Sequence, residues 1–116
     1  MPSAMNATAG HTALFAALRH AAFTEDRGLL FVHAAIDPSR PLSEQQDAFW
    51  WGREDVLELR EPFAGFRRVV RGVDRDRRGV VERDFAVSVD SGAGHGGKLT
   101  AACFGLDGAL VDVAEA

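Results

Sequence analysis

The sequence predicts a sheet-dominated α+β domain in which one short N-terminal helix precedes five or six strands. Three features lead to this prediction: an alanine-rich stretch with apolar residues at helical spacing, several short apolar runs after it, and Gly-, Pro- and Asp-containing turns between those runs. The chain has 116 residues, enough for one domain with a modest core. Residues 1–10 are predicted to be a flexible leader, and residues 11–116 a single domain.

The predicted helix follows the leader. Leu14, Phe15 and Leu18 fall on one side of a short helix that ends near His20. Because a helix this short is not stable alone, we expect it to dock on the rest of the domain.

A β-hairpin is predicted next. Residues 22–24 and 29–34 flank a turn-like tetrad at 25–28, which ends in a glycine. The second arm is continuously apolar, as expected of a strand that is covered on both faces. Residues 43–46 predict a helical turn capped by Ser43, and a further helical segment is expected soon after it.

The later strands have clearer signals. Phe85, Val87 and Val89 alternate with smaller or polar residues, which predicts a half-buried strand. The last two strands are joined by a hairpin turn at 105–108. The predicted helical segment and the four later strands span residues 54–59, 67–71, 85–90, 99–104 and 110–113.

Composition restricts the function classes. A formal charge of −4 provides no global attraction to nucleic acid or to an anionic membrane, so we expect neither as a partner. No segment approaches the ~20 apolar residues of a membrane span. Cys103 is the only cysteine, which excludes an internal disulfide and the paired thiolates of most structural zinc sites. Without a secretion signal at the N-terminus, a cytoplasmic location is expected.

His33 is the first candidate for chemistry, because it ends the apolar strand. Taken on spacing alone, a core histidine bonded to a backbone carbonyl is the favoured interpretation, and a metal ligand is the alternative. The arginines between residues 67 and 78 offer guanidinium groups that match phosphate oxygens. Interleaved carboxylates favour a self-neutralising surface instead, and Arg71 at a strand end is the arginine best placed for a site.

Two further segments are weaker candidates. The glycine-rich stretch at 91–98 ends in a lysine, but a strand follows it where a phosphate-binding loop would lead into a helix. A wide turn with His95 exposed is the better interpretation. Trp50 and Trp51 are expected to be anchors of a core or interface rather than a stacking platform for nucleic acid.

Four motifs, taken in order, resemble the C-terminal half of the phosphoprotein-phosphatase branch of the calcineurin-like metallophosphoesterases, especially its bacterial members. Residues 31–35 read Phe-Val-His-Ala-Ala, similar to a strand that ends in His-Ala-Gly. Residues 41–45 and 50–53 read Pro-Leu-Ser-Glu-Gln and Trp-Trp-Gly-Arg, similar to Pro-Leu-x-x-Gln and Trp-x-Arg. Residues 70–74 stand where the family has Val-x-Gly-His, and residues 90–97 are similar to its closing Asp-x-Gly-Ala-x-x-Gly-Gly.

The resemblance implies a partial calcineurin-like β-sandwich, with His33 as a metal ligand and Arg71 and Arg53 as phosphate-binding residues. Manganese or iron is the cofactor that it implies for the family. The sequence also departs from the family pattern. None of the Asp- and His-containing motifs that supply most metal ligands precedes His33, and Val73 replaces the second expected histidine. A two-metal site needs several carboxylate and imidazole ligands.

Three functional interpretations follow. The chain is a degenerate metallophosphatase segment without turnover of its own, a half-enzyme that needs a chain with the missing ligands, or a non-catalytic interaction domain. We expect no tightly bound metal. We also expect a homo-oligomer or a complex with a complementary phosphatase half, because strands normally covered by the missing half would expose apolar surface.

Overall fold

The computed structural model describes residues 21–52 and 54–116. The predicted leader and N-terminal helix, and Arg53, lie outside these residues. The described chain forms a sheet-rich α+β structure with one short α-helix and seven strands, where five or six strands were expected. In chain order these elements are β1 (Ala21–Phe23), β2 (Leu29–Val32), α1 (Ala48–Trp51), β3 (Arg68–Arg71), β4 (Gly79–Glu82), β5 (Ala86–Asp90), β6 (Thr100–Phe104) and β7 (Leu110–Glu115).

Five strands form a mixed sheet in the order β1-β2-β3-β5-β4. The central strands β2, β3 and β5 are parallel, and the outer strands β1 and β4 are antiparallel to their neighbours. Strands β6 and β7 form a separate antiparallel hairpin. The parallel centre requires a long crossover between β2 and β3, which residues 33–67 provide.

One face of the sheet is covered by that crossover, and we call it the loop-covered face. Its buried strand residues include Leu30, Val69 and Ala86, which join one large apolar cluster. The crossover contributes the other buried members of this cluster: Ile36, Phe49, Val56, Leu57, Phe63 and Phe66.

The opposite face is covered by the β6–β7 hairpin, and we call it the hairpin-covered face. Its buried cluster consists of Leu29, Val70 and Val87, and Phe104 of β6 packs against them. The hairpin turn lies against the β1–β2 turn, where Arg67 Nη1 donates to the Asp107 carbonyl at 3.0 Å. A side chain at Gly28 would collide with the Leu106 carbonyl, because its Cβ would lie 2.4 Å from that oxygen.

The predicted β1–β2 hairpin and the four later strands are confirmed. Burial of β2 on both faces is confirmed for Leu29, Leu30 and Val32, whereas Phe31 is 37% exposed. Strand β4 was not expected. The prediction that β5 is half-buried is wrong, since Ala86, Val87 and Ser88 at its start are all fully buried between the two coverings.

The short helical segments differ in detail from the expectation. A single 3-10 turn spans Leu42–Glu44 and follows Pro41, without a side-chain cap, so the predicted serine cap is wrong. The second predicted segment is a 3-10 turn at Val56–Glu58, where the Asp55 carboxylate accepts from Leu57 N. No helix within the described part of the chain is both long enough and apolar enough to cross a membrane.

Candidate functional site

A crevice of 190 Å³ lies beyond the carboxyl ends of β2 and β3. Open sheets with parallel strands commonly bind ligands at this end, because the loops that leave the strands diverge there. The crevice wall carries both signs of charge. Its charged residues are Glu54, Asp55, Asp74, Asp76, Arg71, Arg75 and Arg78.

Four of these side chains form a closed arrangement, which we call the ion-pair ring: Arg71, Asp55, Arg78 and Asp74. Arg71 Nη1 lies 2.9 Å from Asp55 Oδ1, and Arg71 Nη2 lies 3.4 Å from Asp74 Oδ1. Arg78 completes the ring, with Nη2 3.3 Å from Asp55 Oδ2 and Nε 2.8 Å from Asp74 Oδ2. Each carboxylate therefore contacts both guanidinium groups.

Arg71 is the deepest cation of the ring, since its side chain is only 7% exposed. It ends β3 on the loop-covered face, beside Ser88 of β5, and its Nε donates to the Ser88 hydroxyl at 3.0 Å. Its buried Nη2 makes no hydrogen bond. The desolvation cost of burying this guanidinium is offset because two carboxylates and a hydroxyl replace most of the water that would otherwise solvate it.

Asp74 organises the loop that follows β3. Its carboxylate accepts from the backbone N–H groups of Asp76 and Arg78 as well as from the Arg78 side chain. Burial alone would raise the pKa of Asp74, but these hydrogen bonds and the charge of Arg71 outweigh it and lower the pKa to about 2. The Asp74 carboxylate is thus ionised at neutral pH and bound on several sides.

His33 lies directly after β2, as predicted, but it is exposed. The interpretation as a core histidine is therefore wrong. Its ring packs on Trp50, with centroids 4.8 Å apart.

Within residues 21–52 and 54–116, no group of three or more His, Cys, Asp or Glu is arranged to hold a metal ion. The described residues therefore do not fit a manganese or iron centre.

The two positions at which the family resemblance implies metal histidines are neighbours in space. His33 follows β2 and Val73 follows β3, and Val73 N donates to the His33 carbonyl at 2.9 Å. Position 73 therefore lies next to His33, just beyond the carboxyl end of β3. The valine that stands there has no lone pair to offer a metal.

The expected phosphate-binding role stays a prediction for Arg71 and Arg53. Arg53 lies outside the described residues. Arg71 reaches the crevice, but its guanidinium is already engaged by Asp55 and Asp74. The self-neutralising character expected of the arginine stretch is confirmed for Arg68, which pairs with Glu82, and for the two arginines of the ion-pair ring.

The glycine-rich segment forms a wide turn, as predicted. It includes a 3-10 turn at Ala93–His95 and closes through a bond from Gly97 N to the Gly92 carbonyl. His95 is exposed. Gly97 has to lack a side chain, because its Cβ would lie 2.0 Å from the Ser91 carbonyl oxygen.

The two tryptophans take different positions. Trp50 is half-buried and packs against the apolar cluster of the loop-covered face, whereas Trp51 is 73% exposed. The anchor interpretation therefore fits Trp50 as a core residue. Trp51 has no comparable burial within the described structure.

Sequence reasoning missed the carboxylates of the ring. Asp74 and Arg78 have the i, i+4 spacing of side chains that meet across a turn, a signal that was present in the sequence. Asp55 gives no such signal, because only the folding of the crossover brings it to Arg71.

Comparison of the chain with protein-family models, with curated proteins and with solved structures finds no match.

Proposed function

We propose that this chain is a degenerate metallophosphatase-like segment that does not hydrolyse phosphate esters by itself and acts by binding a partner. The observation that carries the proposal is the bond between Val73 N and the His33 carbonyl. It joins the two positions that the family resemblance assigns to metal histidines, and one of them is a valine. The pair fits an ancestral metal site that has lost a ligand.

Two further observations support the same proposal. The parallel strands β2 and β3 end at a charged crevice, and the β6–β7 hairpin packs on one face of the sheet; both are compatible with part of a calcineurin-like β-sandwich. Arg71 at this crevice holds two carboxylates of its own chain, which leaves its guanidinium less available for a phosphate. The exposed ring of His33 is the remaining metal donor of the pair.

The test measures metal content and phosphatase activity together. Purified protein is dialysed against manganese or iron, analysed by mass spectrometry and assayed with p-nitrophenyl phosphate. His33→Ala is compared with His95→Ala, which removes an exposed histidine from the glycine-rich turn. We expect no stoichiometric metal and no turnover in any of the three proteins. Bound metal with turnover that is lost only in His33→Ala would overturn the proposal.

The partner is proposed to be a second copy of the chain or a chain that supplies the missing half of the phosphatase. Light scattering at micromolar concentration tests the first alternative, and a monodisperse monomer would contradict it. A neighbouring reading frame that encodes the missing Asp and His motifs would support the second. With such a chain added, turnover that depends on His33 would change the assignment from a degenerate segment to a half-enzyme.

A further inference from the structure

A second groove, of 260 Å³, lies in the crossover and shares Glu54 and Asp55 with the crevice. Its lining is mainly apolar, and the apolar residues come from the segments on either side of α1: Ile36, Pro38, Val56 and Leu59. Ile36 and Val56 belong to the large cluster of the loop-covered face, where each is only 1% exposed. The groove is therefore backed by the packed core, which fixes its shape.

The rest of the groove lining is charged. Glu54, Glu58 and Glu61 are exposed, and Arg60 is the cation beside them. Among the described side chains, the ion pairs are made by other carboxylates and include none of these three glutamates. Asp55 differs from them, because two arginines of the ion-pair ring hold it. The rim thus has an excess of negative charge, and we call the site the acidic groove.

The surrounding crossover has the same imbalance. Residues 37–61 include seven acidic and three basic residues, whereas residues 62–83 include three acidic and seven basic ones. In the described chain, the ion pairs that join these two stretches are those of Arg71 and Arg78 with Asp55. Most of the acidic excess of the crossover therefore has no partner at short range, and it attracts cationic groups.

We propose that the acidic groove binds a peptide segment of a partner protein in which apolar side chains are flanked by lysine or arginine. The apolar side chains pack on Leu59 and Pro38, and the flanking cations pair with Glu58 and Glu61. A volume of 260 Å³ is below the range of about 300–1,000 Å³ that is typical of small-molecule sites, which suits one or two side chains of a peptide.

The proposal goes beyond the proposed function. No residue that lines the groove belongs to the motifs that carry the family resemblance. The β6–β7 hairpin of a second copy is a poor occupant, because its exposed apolar side chains Leu106, Val111 and Val113 lie beside Asp107 and Asp112. Like charges across an interface oppose docking, so the groove favours a partner of opposite charge.

The chemistry of the ligand is tested on the wild-type full chain by fluorescence anisotropy of labelled hexapeptides. The probe Arg-Lys-Leu-Leu-Lys-Arg is compared with Arg-Lys-Ser-Ser-Lys-Arg, which keeps the charge, and with Glu-Asp-Leu-Leu-Asp-Glu, which keeps the leucines. We expect the first probe to bind with a Kd of about 10–100 μM, and each control probe to bind at least about tenfold more weakly. Absence of binding by the first probe, or equal binding of all three, would overturn the proposal.

The location of the site is tested with Glu58→Lys and its matched control Glu44→Lys. Each glutamate is exposed and is the last residue of a 3-10 turn in the crossover, but Glu44 does not line the groove. We expect the Kd of the basic probe to rise about fivefold in Glu58→Lys and less than about twofold in Glu44→Lys. Losses of equal size would show attraction to the net charge alone and would overturn the proposal.

A gain of binding protects this test against misfolding of the variant. The acidic probe should bind Glu58→Lys more tightly than it binds the wild type, which an unfolded chain would not reproduce. Light scattering of the wild type with and without the basic probe tests the competing occupant. If the probe bound only where dilution had separated an oligomer into monomers, a second copy would be the occupant and the proposal would be wrong.

Discussion

The two faces of the five-stranded sheet are closed in different ways. The loop-covered face is buried under the long crossover between β2 and β3, which brings several large apolar side chains and the ion-pair ring to one side of the sheet. The hairpin-covered face has a smaller cluster of three buried residues, and the aromatic ring of Phe104 packs on them. Within the described chain, the loop-covered face thus carries the larger core, whereas the hairpin-covered face depends on fewer contacts.

This difference indicates which face of the sheet contributes most of the stability of the fold. Burial free energy scales with the apolar area removed from water, so most of it belongs to the loop-covered face. The charged crevice lies on that same side, at the carboxyl ends of the strands.

The largest expected effect comes from Phe66→Ala. Phe66 is completely buried in the loop-covered cluster, so its removal should lower the free energy of unfolding by about 3–5 kcal/mol. The matched change Phe104→Ala removes the aromatic residue of the other face, which is only half-buried, and should cost about 1–2 kcal/mol. Urea unfolding measures both. Equal losses would contradict the difference between the faces.

A smaller effect is expected from breaking the ion-pair ring with Asp74→Asn. This change leaves Arg71 buried with one carboxylate fewer, and the expected loss of stability is about 3 kcal/mol. Asp76→Asn is the control, because Asp76 is exposed and lies two residues away on the same loop. If both variants unfolded at the same urea concentration, the ring would have no part in stabilising the loop-covered face.

The smallest of the three effects is the acid dependence of the ring. The pKa of Asp74 is lowered from 3.8 to about 2 in the folded chain, so its ionisation stabilises the fold fully above the unfolded pKa. That contribution, about 2 kcal/mol, should be lost as the pH falls from about 4 through 2. Unfolding curves of the wild type and Asp74→Asn should converge over this range. Parallel pH profiles would show that Asp74 is not the group responsible.

Much of the fold could be predicted because its signals are local. The β1–β2 and β6–β7 hairpins have short turns between apolar runs, and both form. Strand β4 was missed because its four residues contain only two apolar side chains after an arginine-rich loop. The parallel pairing of β2 with β3 and of β3 with β5 depends on contacts across a long crossover, which a local pattern does not encode.

The environment of β5 shows a second limit of local patterns. Its alternation suggested a polar side facing water, yet Ser88 is fully buried, and its hydroxyl is satisfied there by a hydrogen bond from Arg71. Arg71 was singled out from its place at a strand end, and the structure places it in the crevice wall, while its role at a site stays a prediction. Its partner Asp55 could not be identified in the same way, because it comes from the crossover, distant in sequence.

Strand β7 has one further property that follows from a single hydrogen bond. Leu99 and Ala116 exchange two backbone hydrogen bonds, so in this register the amide of Val113 points away from β6, toward the free side of the hairpin. The Asp112 carboxylate accepts from that amide at 2.8 Å. An incoming strand would have to displace this carboxylate before it could pair there. The carboxylate thus occupies one of the backbone donors through which edge-to-edge strand pairing would begin on this side of the hairpin.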